Sequence, residues 1–194
     1  MGELRLSRRR MLGAGAAGAL GVLMAPQAVL AQDEVGKLRW DLVAVGAGVI
    51  VPTGTDVATD APTGDTISLT GSGFARPDEG TASGGGTFVH RHADGSEVAQ
   101  GLYVVTGFNS FNNGGGSLAA TTLTDAIGQL DQTTGGVLSV NIRVAGVPVT
   151  AVLEIHCSLP GGLPETEGIR VIVAQFGLDF KQTTGATLFH VLED

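Results

Sequence analysis

The sequence predicts an all-β, antiparallel domain, and three observations carry that prediction. Apolar residues recur with a period of two far more often than with the helical period of about 3.6. Turn-forming residues punctuate the chain at regular intervals, with 31 Gly and 7 Pro among 194 residues. No stretch has the length and amphipathic spacing of a crossover helix, which argues against a parallel α/β sheet.

The strands are expected at about 39–51, 66–75, 87–92, 97–111, 117–123, 138–144, 149–157, 169–181 and 186–192, about nine in all. The hairpin at 138–157 is the best determined. Leu138, Val140, Ile142 and Val144 alternate with Ser139, Asn141 and Arg143, and Val149, Ala151, Leu153, Ile155 and Cys157 alternate with Thr150, Glu154 and His156. A short connection containing Gly146 and Pro148 joins them, and pairing Val144 with Val149 puts both apolar sets on one face. A second hairpin turns at Ala93-Asp94-Gly95-Ser96, where Asp-Gly is a preferred type I′ pair. On that register His92 faces Glu97 and His90 faces Ala99. Only 123–132 hints at a helical turn, and Gly128 weakens it.

Glycine runs at 71–73 and 84–86 lie within or beside strands, where they mark bends that let a sheet curl. With the long strand near 97–111 they favour a closed barrel over a sandwich. The pattern resembles the allene-oxide-cyclase and dirigent type of secreted barrel. No motif matches residue by residue, so the resemblance implies a fold and no function.

Residues 1–31 read as a cleaved leader and 32–194 as the single mature domain. Arg5, Arg8, Arg9 and Arg10 form a basic start, and Leu12 to Ala25 is a modestly apolar run rich in Gly and Ala. Val29 and Ala31 place small residues at the −3 and −1 positions of a signal-peptidase site, so Gln32 becomes the first residue. Ser7-Arg8-Arg9-Arg10-Met11-Leu12 resembles a twin-arginine (Tat) signal, with the Tat translocase as partner and a periplasmic or extracellular destination implied. A plain secretory signal is the alternative, but the paired arginines with a weakly hydrophobic core favour Tat. The apolar run is shorter than the roughly 20 residues a membrane span needs, and no cysteine follows for lipid anchoring, so no stable membrane anchor is expected.

Charge narrows the partners. Removing four of the 11 basic residues and one of the 19 acidic ones leaves seven and 18, a net charge of −11 on the mature chain. The surviving Lys and Arg residues are scattered, which excludes a phosphate-tracking nucleic-acid surface and attraction to anionic lipid. One cysteine excludes an internal disulfide framework.

Few residues carry chemistry. Trp40-Asp41-Leu42-Val43-Ala44-Val45-Gly46-Ala47-Gly48 opens like a dinucleotide-binding unit, but Val51 and Pro52 follow and no helix begins. A strand with a glycine kink is the better reading. Gly114-Gly115-Gly116-Ser117 lacks the Lys of a phosphate loop. Cys157 lies on an apolar face as a buried thiol. His156 points to the opposite face, and His190 lies in the last strand. One constellation supports a site hypothesis. His90 and His92 share a face, and with Glu97 across the hairpin they form a ligand set suited to a divalent metal such as Zn, Fe(II) or Mn. An exposed His92–Glu97 charge pair is the plainer reading. Phe108, Phe111, Phe176, Phe180 and Phe189 read as core filling, or as the lining of a lumen that accepts a small apolar ligand.

The sequence therefore points to a binding protein of no evident catalytic type. A metal-dependent enzyme or oxidoreductase centred on His90, His92 and Glu97 is the alternative, and a structural or cell-surface interaction protein the second. Export is directly testable. The double variant Arg8→Lys/Arg9→Lys should remain in the cytoplasm with its leader intact, whereas the wild type should be recovered outside with Gln32 as its N-terminus. Unchanged export of the double variant would contradict the twin-arginine reading.

Overall fold

A computed structural model describes residues 35–164 and 166–193. The expected signal residues Arg8, Arg9 and Ala31 lie outside them. The described chain is all-β, with fourteen strands in place of the nine expected and two short 3-10 turns, Leu130–Gln132 and Ala174–Phe176. Eleven strands join in one large antiparallel sheet, and three short ones form a second sheet. No helix among the described residues is long and apolar enough to cross a membrane.

The expected strand at 39–51 divides into β1 (Lys37–Leu42), β2 (Ala44–Gly46) and β3 (Val49–Val51). Strands β2 and β3 turn on Ala47 (φ 50°) and Gly48 (φ 78°), where the dinucleotide motif had its glycines. Two successive positive φ values make a type I′ hairpin, so a tight turn stands where a phosphate loop would open. Strand β4 (Asp56–Asp60) has no counterpart in the sequence reading. The segment at 66–75 is β5 (Thr66–Leu69) and β6 (Ser72–Arg76), both paired with one edge of β7 (Thr81–Arg91). β7 pairs along its other edge with β8 (Glu97–Gly115), the longest strand.

The expected strand at 117–123 is absent. Its polar side chains turn it back on itself: Ser117 Oγ accepts from Ala119 N–H, Thr121 N–H donates to Leu118 O, and Thr133 Oγ1 accepts from Leu118 N–H. Such local bonds compete with a sheet ladder. The two-residue β9 (Thr124–Asp125) follows and runs parallel to β3.

The hairpin at 138–157 forms as expected from β10 (Thr133–Val144) and β11 (Thr150–Cys157). Leu138 faces Ile155, Val140 faces Leu153, and Val144 N–H donates to Val149 O at 2.9 Å. The segment at 169–181 is two strands, β12 (Gly168–Val173) and β13 (Leu178–Thr184), and β14 (Thr187–Leu192) closes the chain. On the outer face Arg170 of β12 bonds Asp179 of β13 through two nitrogens, at 2.8 and 3.0 Å, and Glu154 of β11 at 3.2 Å.

The core lies between these strands. Trp40, Leu38 and Leu42 of β1 pack there with Leu138, Val140, Leu153, Ile155, Ile169 and Phe189, all fully buried. Leu153→Ala should cost about 2–5 kcal/mol, because it removes buried methyl groups and leaves a cavity. Glu154→Ala removes partly exposed contacts with Arg170 and His156 and should cost no more than about 1 kcal/mol. Urea unfolding of the two variants checks this; equal losses would show that the face assignment is wrong.

Candidate functional site

β7, β8 and the turn before β5 build the site. The second hairpin does not turn as the sequence suggests. Gly95 has φ 85°, but Asp94 keeps a negative φ, and Gly95 N–H donates to His92 O at 2.9 Å while His92 N–H donates to Ser96 O at 2.8 Å. This is a three-residue loop in which a type I turn runs into a left-handed glycine. Asp94 holds it by accepting from Ser96 N–H and Oγ–H. The extra loop residue sets Arg91 opposite Glu97, and a bulge at Val98 then returns His90 to Ala99.

That shift corrects the expected ligand set. His90 faces Ala99 as expected, but Glu97 faces Arg91 in place of His92, and its carboxylate lies 3.7 Å from the Arg91 guanidinium. The carboxylate bonded to both histidines is Asp65, from the turn between β4 and β5. Its Oδ2 lies 3.1 Å from His90 Nε2 and 3.2 Å from His92 Nδ1. The point on which the two rings converge is thus filled by a carboxylate oxygen. Among the described residues, no group of three or more His, Cys, Asp or Glu side chains could hold a metal ion.

His90 also faces inward. A cavity of about 360 Å³ opens beside it, within the range of small-molecule sites. β5 contributes Ile67 and Leu69, β7 Phe88, β11 Ala151, and β13 Phe180. Of the residues lining it, only His90 and Tyr103 carry a polar side-chain atom. Tyr103 donates its hydroxyl proton to Thr70 O at 3.0 Å. Burial pushes its pKa upward, so it stays neutral. The His90 ring meets Phe180 edge-on, with centroids 5.4 Å apart. Phe176, expected in the core, is 63% exposed at the cavity's rim, with Val98 and Val147 also exposed there.

The remaining candidates are engaged elsewhere. Cys157 is fully buried and its thiol is pushed up to about 12 by burial, which leaves it protonated and unreactive. His156 lies on the opposite face, 3.7 Å from Glu154. His190 is buried and bonded at 2.6 Å to Asp125, which also accepts from Ile127 N–H and Gly128 N–H. This pair fastens the 125–128 turn to β14. Glu167 lines a second, smaller cavity of about 260 Å³, but its two oxygens already accept from Ser158 N–H and Thr187 N–H.

Asp65 and Asp125 were not legible as site residues. Each lies far along the chain from the histidine it meets, and neither sits in a motif. The only signal for Asp65 is its place after Pro62-Thr63-Gly64, a turn that returns the chain beside β7.

The chain matches no family model, no curated protein and no solved structure among those compared with it.

One buried carboxylate gives a pH prediction. Asp56 is fully buried, and its pKa is raised to about 7, first by burial and further by the charge of Glu167, against the opposing bond from Ala186 N–H. The folded state then holds a proton that the unfolded chain releases near the ordinary carboxylate value. Stability should therefore be greatest below about pH 4 in this respect and fall as pH rises towards 7. Glu167, also raised by burial, adds in the same direction. Urea unfolding across that window should show the fall, and Asp56→Asn should remove most of it.

Proposed function

We propose that this chain is an exported binding protein that holds a small apolar ligand in the lumen of a closed barrel. The hydrogen-bonded order β4-β5-β7-β8-β10-β11-β12-β13 returns to β4, which supports reading these eight strands as a barrel. The observation that carries the ligand reading is the cavity itself. It is large, apolar and open at a rim of exposed Val98, Val147 and Phe176. A core whose only purpose is stability is packed to crystal-like density, and a void of this size forfeits contacts throughout its lining.

The proposed leader fits that role. Export by the twin-arginine route, with cleavage after Ala31, would release a folded, acidic protein outside the cytoplasm. The metal-dependent alternative has less support, because Glu97 is held by Arg91 and Asp65 occupies the meeting point of the two histidines.

Binding is tested with 1-methylnaphthalene, a compact apolar probe whose own fluorescence reports transfer from water. The wild type should bind it saturably. Ala151→Phe fills the cavity from one wall and should weaken binding by at least about tenfold while the protein still folds. Tight binding by the filled variant, or none by the wild type, would contradict the reading.

A further inference from the structure

We infer that the ligand is an apolar molecule bearing one neutral hydroxyl, an alcohol or a phenol, and that His90 Nδ1 accepts its proton in a hydrogen bond. The inference rests on the ligand cavity proposed above and names the chemistry that cavity selects.

The polar inventory of the cavity is short. Tyr103 has spent its proton on Thr70 O, and a Cβ on Gly71 would fall on its hydroxyl, so the phenol is pressed against backbone. His90 is therefore the one group free to meet a ligand. An ionised carboxylate only accepts hydrogen bonds, so Asp65 Oδ2 requires the proton of a neutral His90 ring to sit on Nε2, 3.1 Å away. Nδ1 then carries a lone pair, and among the described residues it makes no hydrogen bond. Asp65 on one side and the edge of Phe180 on the other restrain the ring. Because His90 lines the cavity, its unbonded nitrogen is the one side-chain acceptor that a ligand within these apolar walls could reach.

The complementary group is a neutral donor. A ketone or ether would set lone pair against lone pair. A carboxylate would be repelled by the Asp65 charge just beyond the ring. An ammonium group would have to shed its water in an apolar cavity, at high cost. An amide would leave its carbonyl unpaired, because the lining offers no free donor. A hydroxyl meets His90 with its proton and leaves no strong acceptor stranded. At roughly 30 Å³ per water-sized group, the cavity holds about a dozen non-hydrogen atoms.

The test compares two probes of equal size, 1-naphthol and 1-methylnaphthalene, at about pH 8, where an ordinary imidazole is neutral. Dissociation constants are measured for the wild type and for His90→Leu. The preference for naphthol over methylnaphthalene should drop about tenfold in the variant, while methylnaphthalene binds both proteins within about twofold. An unchanged preference would overturn the inference and leave the cavity reading standing. If neither probe binds the wild type, the cavity reading itself fails and takes this inference with it. A second readout needs only the wild type, so it holds even if the variant does not fold. The ¹⁵N signal of His90 Nδ1 should be that of an unprotonated nitrogen and should move upfield with 1-naphthol but not with 1-methylnaphthalene. A proton on Nδ1, or no movement with naphthol, would overturn the inference.

Discussion

Strand β10 is the constraint on which the rest of the molecule depends, because it must satisfy three neighbours at once. One edge pairs with β8 from Gly135 to Val144. The other edge divides: Thr133 and Thr134 bond β14, and the residues from Gly136 onward bond β11. Backbone groups left unpaired at such a fork would be costly in the interior. Gly135 and Gly136 sit at the division, where a Cβ on Gly136 would strike Asn112 O and one on Gly135 would lie 2.8 Å from Gly115 O. Only residues without a side chain let three backbones approach there. The fork lets one strand serve both the wall around the cavity and the layer formed by β14 and β1.

The same arrangement explains why the cavity carries so little polarity. Strands that alternate inward apolar residues produce an apolar interior by default. Polar groups enter only where a turn or a strand end needs them. Asp60 faces inward, yet it accepts from Asp179 N–H and from Thr63 N–H and Oγ1–H, and so closes a turn. Asp56 does similar work for Ala186 N–H. His90 differs, since it lines the cavity while one of its nitrogens is committed to Asp65 and the other makes no hydrogen bond among the described residues.

Much of the fold was legible in the sequence, and the failures have physical causes. The register of β10 with β11 followed from alternation on both sides of a short connection, because a slip of one residue would turn either Leu138 and Val140 or Leu153 and Ile155 out of the shared face. Strand β4 was missed because two of its three inward residues, Asp56 and Asp60, are aspartates, which read as loop. The expected strand at 117–123 failed because serine and threonine side chains captured its backbone. The site was half legible. His90 and His92 share a face as their spacing requires, but the loop takes in Ala93 as well as Asp94 and Gly95, and this moved Glu97 onto Arg91. Asp65 reached the histidines through tertiary structure alone. Spacing along a strand shows which side chains point together; it does not show what waits opposite them.

The central claim is that the lumen is an apolar void built to be filled, and diffraction from crystals pressurised with xenon tests it without assuming any ligand. Xenon enters dry apolar cavities. The account predicts a xenon site among Phe88, Ala151 and Phe180, with little change in the surrounding side chains. A lumen collapsed by its own side chains, or one holding ordered water and no xenon, would contradict it.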